Sequence, residues 1–181
     1  MDAQPAAQPP RFGGQPMLYG RAEVRRSQRH LRYELVRGNQ VVAALARYSW
    51  LNIFFGPGQR VVLPSGERWR IRSYGRARHI CPLIVDEDGR RVAVSAPSTA
   101  SSYGINGKDW ALSMFPGAAT NIGRANSWLL REHETELAVV RRKPRSIDAY
   151  EPIPVSAALL ALVLAQFDMP GEKELWQPPA N

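Results

Sequence analysis

The chain contains a single cysteine, Cys81, among its 181 residues. One cysteine cannot form a disulfide within the chain, so packing and hydrogen bonds alone must hold the fold together. The first residues also lack the basic and then apolar run that is typical of a secretory signal peptide. Both absences favour a reducing compartment. We therefore expect a cytoplasmic protein, in one interpretation attached peripherally to the inner face of the membrane.

Motifs for catalysis, metal binding and nucleotide binding are missing as well. The three histidines, His30, His79 and His133, are far apart, and the chain has no HExxH, CxxC, GxGxxG, P-loop or GxSxG pattern. His79 and Cys81 would share one face of a strand, which raises the alternative of a Cys-His nucleophile pair. Residues so close on one strand need a third group to reach attack geometry. We predict a protein that is not an enzyme and needs no cofactor or metal.

Lysine is scarce, because only 3 of the 24 basic residues are lysine, and acidic residues are too few to balance the arginines. The formal net charge is +8, and a positive field of this kind attracts phosphate-bearing partners such as nucleic acid or anionic lipid. The preference for arginine over lysine is also typical of a GC-rich genome, which would enrich arginine without selection for binding. The sequence leaves both explanations open.

Long amphipathic helices are absent, and between residues 17 and 150 short alternating or apolar runs are separated by turn residues. This spacing predicts about eleven or twelve strands. Three hairpins have clear turn chemistry. Their turns are Arg37-Gly38-Asn39-Gln40, Pro64-Ser65-Gly66-Glu67 and Asp86-Glu87-Asp88-Gly89.

The exception is an apolar helix predicted over residues 154–168, with Pro154 at its start and Pro170-Gly171 beyond its end. It is apolar on every face and too short for the roughly 20 residues that span a bilayer, so we expect it to be surrounded by protein. The predicted fold class is mainly β, a closed or nearly closed antiparallel barrel of about twelve strands around this helix. Residues 1–16 and 170–181 are predicted to be tails, the first of them disordered, and residues 17–169 the domain.

Four features recur together along the chain: Tyr33-Glu34-Leu35-Val36 with its Gly38 turn, the hairpin from Ile84 to Val94, the late runs from Trp128 and Leu137, and the apolar helix after Tyr150-Glu151-Pro152. This pattern resembles the tubby-like superfamily, and within it the LURP-one-related and phospholipid scramblase-like branch. The resemblance implies a twelve-stranded barrel wrapped around a hydrophobic C-terminal helix. It also implies phosphoinositide binding or lipid transfer, although no residue of this chain can be assigned to either.

A basic run, Arg141-Arg142-Lys143-Pro144-Arg145, is the strongest candidate binding site. Paired cations at a strand end hold phosphate through charge-assisted hydrogen bonds, and Arg25 and Arg26 are candidates to join them. The alternative is a solvated turn between the last two strands. The aromatic residues Trp50, Phe54 and Phe55 are candidates for membrane contact, with packing over the barrel mouth as their alternative.

Three classes of partner follow from these features. The first hypothesis is a binding module that meets anionic phospholipid at a membrane surface through the basic run. The second is a scaffold that recruits a protein partner through its N-terminal tail. Nucleic acid is supported only by the charge, because a helix-turn-helix pattern and an aromatic RNP-like strand are both missing.

Overall fold

The computed structural model describes residues 15–27, 33–45, 58–74, 81–99, 102–117 and 126–166. These residues form twelve strands and one helix, and every neighbouring pair of strands is antiparallel. The strands are β1 (Met17–Arg26), β2 (Tyr33–Arg37), β3 (Gln40–Leu45), β4 (Gln59–Val62), β5 (Arg68–Tyr74), β6 (Cys81–Asp86), β7 (Arg91–Thr99), β8 (Ser102–Gly107), β9 (Ala111–Pro116), β10 (Ser127–Glu132), β11 (Thr135–Arg141) and β12 (Ser146–Pro154), and the helix is α1 (Val155–Leu164).

Each strand pairs with its neighbours in the sequence, and β1 also pairs with β12, which closes the sheet into a barrel. The closing ladder runs from the pair Met17 and Pro154 to the pair Glu23 and Ser146. Because the strands alternate in direction, their connections alternate between the two ends of the barrel. The turn rim is the end with residues 38–39, 63–67, 87–90, 108–110 and 133–134. The loop rim is the opposite end, where β1, β3, β5, β7, β9 and β11 finish.

Alternation of side chains along each strand separates the inside of the barrel from the outside. In β4, Gln59 and Val61 are buried, whereas Arg60 and Val62 face outward. The same period of two recurs in β5, where Trp69 and Ile71 are buried between outward arginines. The inward residues of the twelve strands and the helix form one hydrophobic core.

The predicted hairpin turns are confirmed at the turn rim. Gly38, Gly66 and Gly89 have positive φ angles, which glycine adopts without a steric cost. In the third hairpin the N–H of Gly89 donates to the carbonyl of Asp86 over 3.1 Å, and the Asp86 carboxylate accepts from the N–H of Arg90 over 2.8 Å. The acidic stretch is thus a hairpin turn, with its first carboxylate used to close it.

Helix α1 lies inside the barrel. All ten of its residues are buried, and it contacts strands from different parts of the wall: β1, β6, β7, β8, β11 and β12. Pro154 provides no side-chain cap at its start. Instead, the N–H of Val155 donates to the carbonyl of Pro16 over 2.9 Å, and the Ser156 hydroxyl donates to Gln15 Oε1 over 3.0 Å. The first bond satisfies a backbone N–H that a helix terminus otherwise leaves without a partner, and the second ties the side chain of the next residue to the same segment.

The predicted fold class, a mainly β closed barrel around a C-terminal helix, is confirmed. The helix was predicted over residues 154–168, but it ends at Leu164. A turn follows at Ala165 and Gln166. Of the predicted N-terminal tail only Gln15 and Pro16 are described, and the predicted C-terminal tail lies outside the described residues. Within the described ranges, no helix has the length and apolar character needed to cross a membrane.

Replacing Leu160 by Asp is expected to unfold the domain, because Leu160 is fully buried in the helix. An unpaired carboxylate there costs several kcal/mol, out of a total stability of about 5 to 15 kcal/mol. The check is thermal unfolding followed by near-UV circular dichroism. The matched control is Tyr150→Asp, because Tyr150 is 48% exposed on the adjoining strand. A Leu160→Asp protein with native signal and native Tm would show that the helix is not central to the fold.

Candidate anion-binding surfaces

The two rims carry opposite charge in their connections. The six segments that join strands at the loop rim contain nine cations and no carboxylate: Arg29, Arg32, Arg47, Arg76, Arg78, Arg124, Arg142, Lys143 and Arg145. The five turns of the turn rim contain five carboxylates and two cations: Glu67, Glu87, Asp88, Asp109 and Glu134, with Arg90 and Lys108. Among the described residues, the turn rim thus carries all five of these carboxylates, and the loop rim carries Arg142, Lys143 and Arg145.

The structure brings the end of β1, which carries Arg25 and Arg26, beside the basic run at the loop rim. The register of β1 with β12 places the end of β1 beside the turn at residues 142–145. The N–H of Val24 donates to the carbonyl of Arg145 over 2.9 Å, so the strand that carries Arg25 and Arg26 is bonded to the basic turn. This convergence depends on barrel closure.

Two of the predicted cations already have carboxylate partners on the outer wall. Arg141 Nη1 lies 3.7 Å from Asp148 Oδ2, and Arg25 Nη2 lies 3.5 Å from Glu23 Oε2. Arg21 reaches the other oxygen of Glu23 over 3.0 Å. Exposed ion pairs of this kind contribute about 0 to 1 kcal/mol each, but they lower the charge available to a ligand.

The remaining four predicted cations, Arg26, Arg142, Lys143 and Arg145, form what we call the rim patch. Arg26 and Lys143 are exposed, whereas Arg142 and Arg145 are half-buried. The turn is tied to β1 through Arg145, and the N–H of Arg142 donates to the carbonyl of Asn126 over 3.1 Å. Backbone bonds on both sides thus hold the rim patch in a defined position.

The aromatic candidates Trp50, Phe54 and Phe55 lie outside the described residues, and so do Arg29 and His79. The segment that contains the three aromatics joins the end of β3 to the start of β4, both at the loop rim. Membrane contact by these side chains therefore stays a prediction.

A second basic cluster, which the sequence analysis did not single out, lies on the outer face of β4 and β5. We call Arg60, Arg68, Arg70 and Arg72 the arginine stripe. They line a groove of about 710 Å³ together with Asp86, Glu87 and apolar residues of the neighbouring strands. The signal in the sequence was Arg68-Trp69-Arg70-Ile71-Arg72, in which arginine occupies three successive outward positions of β5.

Burial affects the thiol of Cys81, the cysteine of the alternative Cys-His pair. Cys81 is buried, and this burial raises the pKa of its thiol, an effect that a hydrogen bond with Tyr74 opposes only in part. Tyr74 itself donates its hydroxyl to the carbonyl of Ser95 over 2.8 Å. Among the described residues, no group of three His, Cys, Asp or Glu side chains is placed to hold a metal ion.

Comparison with known proteins gives no family assignment. No protein-family model matches the chain, and neither a curated protein nor a solved structure matches it. The architecture is consistent with a tubby-like fold but does not identify one.

Labelling of Cys81 by a thiol reagent is expected to be at least about tenfold slower in the native protein than in the urea-unfolded protein at pH 8. Burial raises the pKa of the thiol, so less of the reactive thiolate forms in the folded state at a given pH. The native rate should rise as the pH increases above the usual thiol range. Cys81→Ser provides the unlabelled control, and equal native and unfolded rates would contradict the expectation.

Proposed function

We propose that this chain is a non-enzymatic module that binds anionic phospholipid at a membrane surface, with the loop rim turned towards the lipid headgroups. The observation that carries the proposal is the separation of charge between the rims, with every carboxylate of the connections at the turn rim. A barrel with this polarity is attracted by its positive end and repelled by its negative end, so the surface potential of the membrane orients it.

The rim patch would supply the direct contacts. Three of its cations lie on a turn held by backbone bonds and Arg26 ends the strand bonded to that turn, so little backbone ordering is needed when headgroup phosphates approach. Each Lys or Arg close to an anionic membrane contributes about 1 kcal/mol, and this attraction weakens within a Debye length of roughly 8 Å at physiological salt. Binding is therefore expected to require anionic lipid and to fall steeply as salt increases.

We further propose that the barrel is of the tubby-like type, close to the LURP-one-related and scramblase-like branch. The twelve-stranded closed wall and the internal C-terminal helix support this assignment. A position at the cytoplasmic face of the membrane accords with the single, buried cysteine.

The test is co-sedimentation with neutral and anionic vesicles at low and physiological salt. The triple variant Arg142→Gln, Lys143→Gln and Arg145→Gln is expected to weaken binding to anionic vesicles by on the order of a hundredfold, from about 1 kcal/mol per lost cation. The matched control removes three cations at the turn rim: Arg37→Gln, Arg90→Gln and Lys108→Gln. Its binding should equal that of the wild type.

Thermal unfolding of both triple variants separates lost binding from lost folding. Binding that is insensitive to salt, equal for neutral and anionic vesicles, or weakened equally in the two variants would overturn the proposal. Absence of binding by the wild-type protein would also overturn it and would direct attention to protein partners.

A further inference from the structure

Three arginines of the stripe lie close together on the outer wall. Arg60 of β4 is directly opposite Arg70 of β5, where Cβ atoms are about 5 Å apart in an antiparallel pair. Arg72 follows Arg70 on the same face of β5, about 7 Å further along the strand. The three side chains therefore define a triangle with sides of several ångströms.

These three guanidinium groups have no carboxylate partner in the part of the chain that the structure describes. Arg68, at the turn-rim end of the stripe, differs because it pairs with Glu87 over 3.5 Å. The residues of β6 that face Arg70 and Arg72 across the sheet are Val85 and Leu83, which cannot neutralise them. Like charges directly opposite each other destabilise a sheet. The pair of Arg60 and Arg70 is thus a cost to the unliganded fold.

The chain just before β4 fixes the positions of two of these arginines. Gly58 has a φ of +90°, and a Cβ atom there would lie 2.6 Å from the carbonyl oxygen of Ile71. It would also lie 2.9 Å from Arg70 Cγ and 3.0 Å from Arg72 Cγ. The backbone at Gly58 therefore packs against the aliphatic part of both arginine side chains. Because this packing already restricts them, less conformational entropy is lost when a ligand binds.

We infer that Arg60, Arg70 and Arg72 form a binding site for a phosphate-rich anion with two or more adjacent phosphate groups. Guanidinium groups bind phosphate through paired hydrogen bonds in one plane, and three of them can hold neighbouring phosphates simultaneously. The bound charge would also relieve the repulsion between Arg60 and Arg70. Asp86 and Glu87 at the other end of the groove repel anions, which confines the ligand to the half nearer the loop rim.

This site is separate from the rim patch and does not rest on the proposed function. The stripe lies on the wall at β4 and β5, whereas the rim patch lies where β1 meets the turn before β12. The phosphate groups of the ligand could belong to a soluble polyphosphorylated molecule or to a lipid headgroup, since both present the same chemistry to the arginines.

The first experiment measures binding of inorganic tripolyphosphate by calorimetry, together with the rise in Tm that it causes. Arg60→Gln and Arg70→Gln are each expected to raise the Kd by at least about tenfold, because each removes a charged hydrogen-bonding group. Arg70→Lys should lie between wild type and Arg70→Gln, because it keeps the charge but loses the paired geometry. Lys108→Gln, an equal charge change at the turn rim, should bind as the wild type.

The unliganded variants provide an independent readout. Because Arg60 and Arg70 repel each other, removing either one should leave the Tm unchanged or raise it, although ligand binding is lost. Absence of tripolyphosphate binding by the wild type, or equal binding by Arg60→Gln, Arg70→Gln and the wild type, would overturn the inference. A lowered Tm in both unliganded variants would also count against it, because the arginines would then serve the fold.

The source of the phosphate is decided with the rim-patch triple variant and vesicles that contain cardiolipin, a lipid whose headgroup carries two phosphate groups. Residual vesicle binding that disappears when Arg60→Gln and Arg70→Gln are added supports a lipid headgroup at the stripe. Tripolyphosphate binding without such residual vesicle binding supports a soluble ligand. Failure of the proposed membrane function leaves the tripolyphosphate result unaffected, so the two outcomes are distinguishable.

Discussion

The pairing of β1 with β12 is the interaction on which the rest of this structure depends. An open sheet of the same twelve strands would leave two unpaired edge strands and would expose an apolar helix that has no polar face. Closure satisfies the backbone groups of both edge strands and encloses an interior in which every face of the helix meets protein. The residues just before β1 complete the arrangement, because Gln15 and Pro16 bond to the first turn of the helix. The two ends of the described chain are thereby stabilised together.

The same closure decides which charges become neighbours. Arg25 and Arg145 are 120 positions apart in the sequence, yet the ladder of β1 and β12 brings their strand ends side by side. Two other charge pairs on the outer wall do not need closure, because Arg141 of β11 pairs with Asp148 of the next strand, and Arg25 pairs with Glu23 on its own strand. Within the basic run that stood out in the sequence, Arg141 lies on the wall and pairs with a carboxylate, and Arg142, Lys143 and Arg145 lie in the turn at the rim.

Much of the fold could be predicted because its signals are local. The alternation of β4 and β5, the glycines of the tight turns and the uniformly apolar helix are each visible in fewer than about fifteen consecutive residues. The geometry of the two basic surfaces was harder to predict from the sequence, because it depends on which strands pair and in which register. The position of Arg25 beside Arg145 follows only from closure. The opposition of Arg60 and Arg70 follows only from the register of two strands, and a shift by one residue would have turned one of them inward.

The alternation of connections between the rims also has a consequence for how such a barrel can change over time. The turns that set strand register are concentrated at one end, where glycines with positive φ tolerate little substitution. The other end carries connections whose lengths differ widely, from the two residues between β7 and β8 to the thirteen between β3 and β4. Insertions and new side chains can accumulate there without disturbing the ladder. Recognition can thus diversify at one end while the scaffold is preserved by the other.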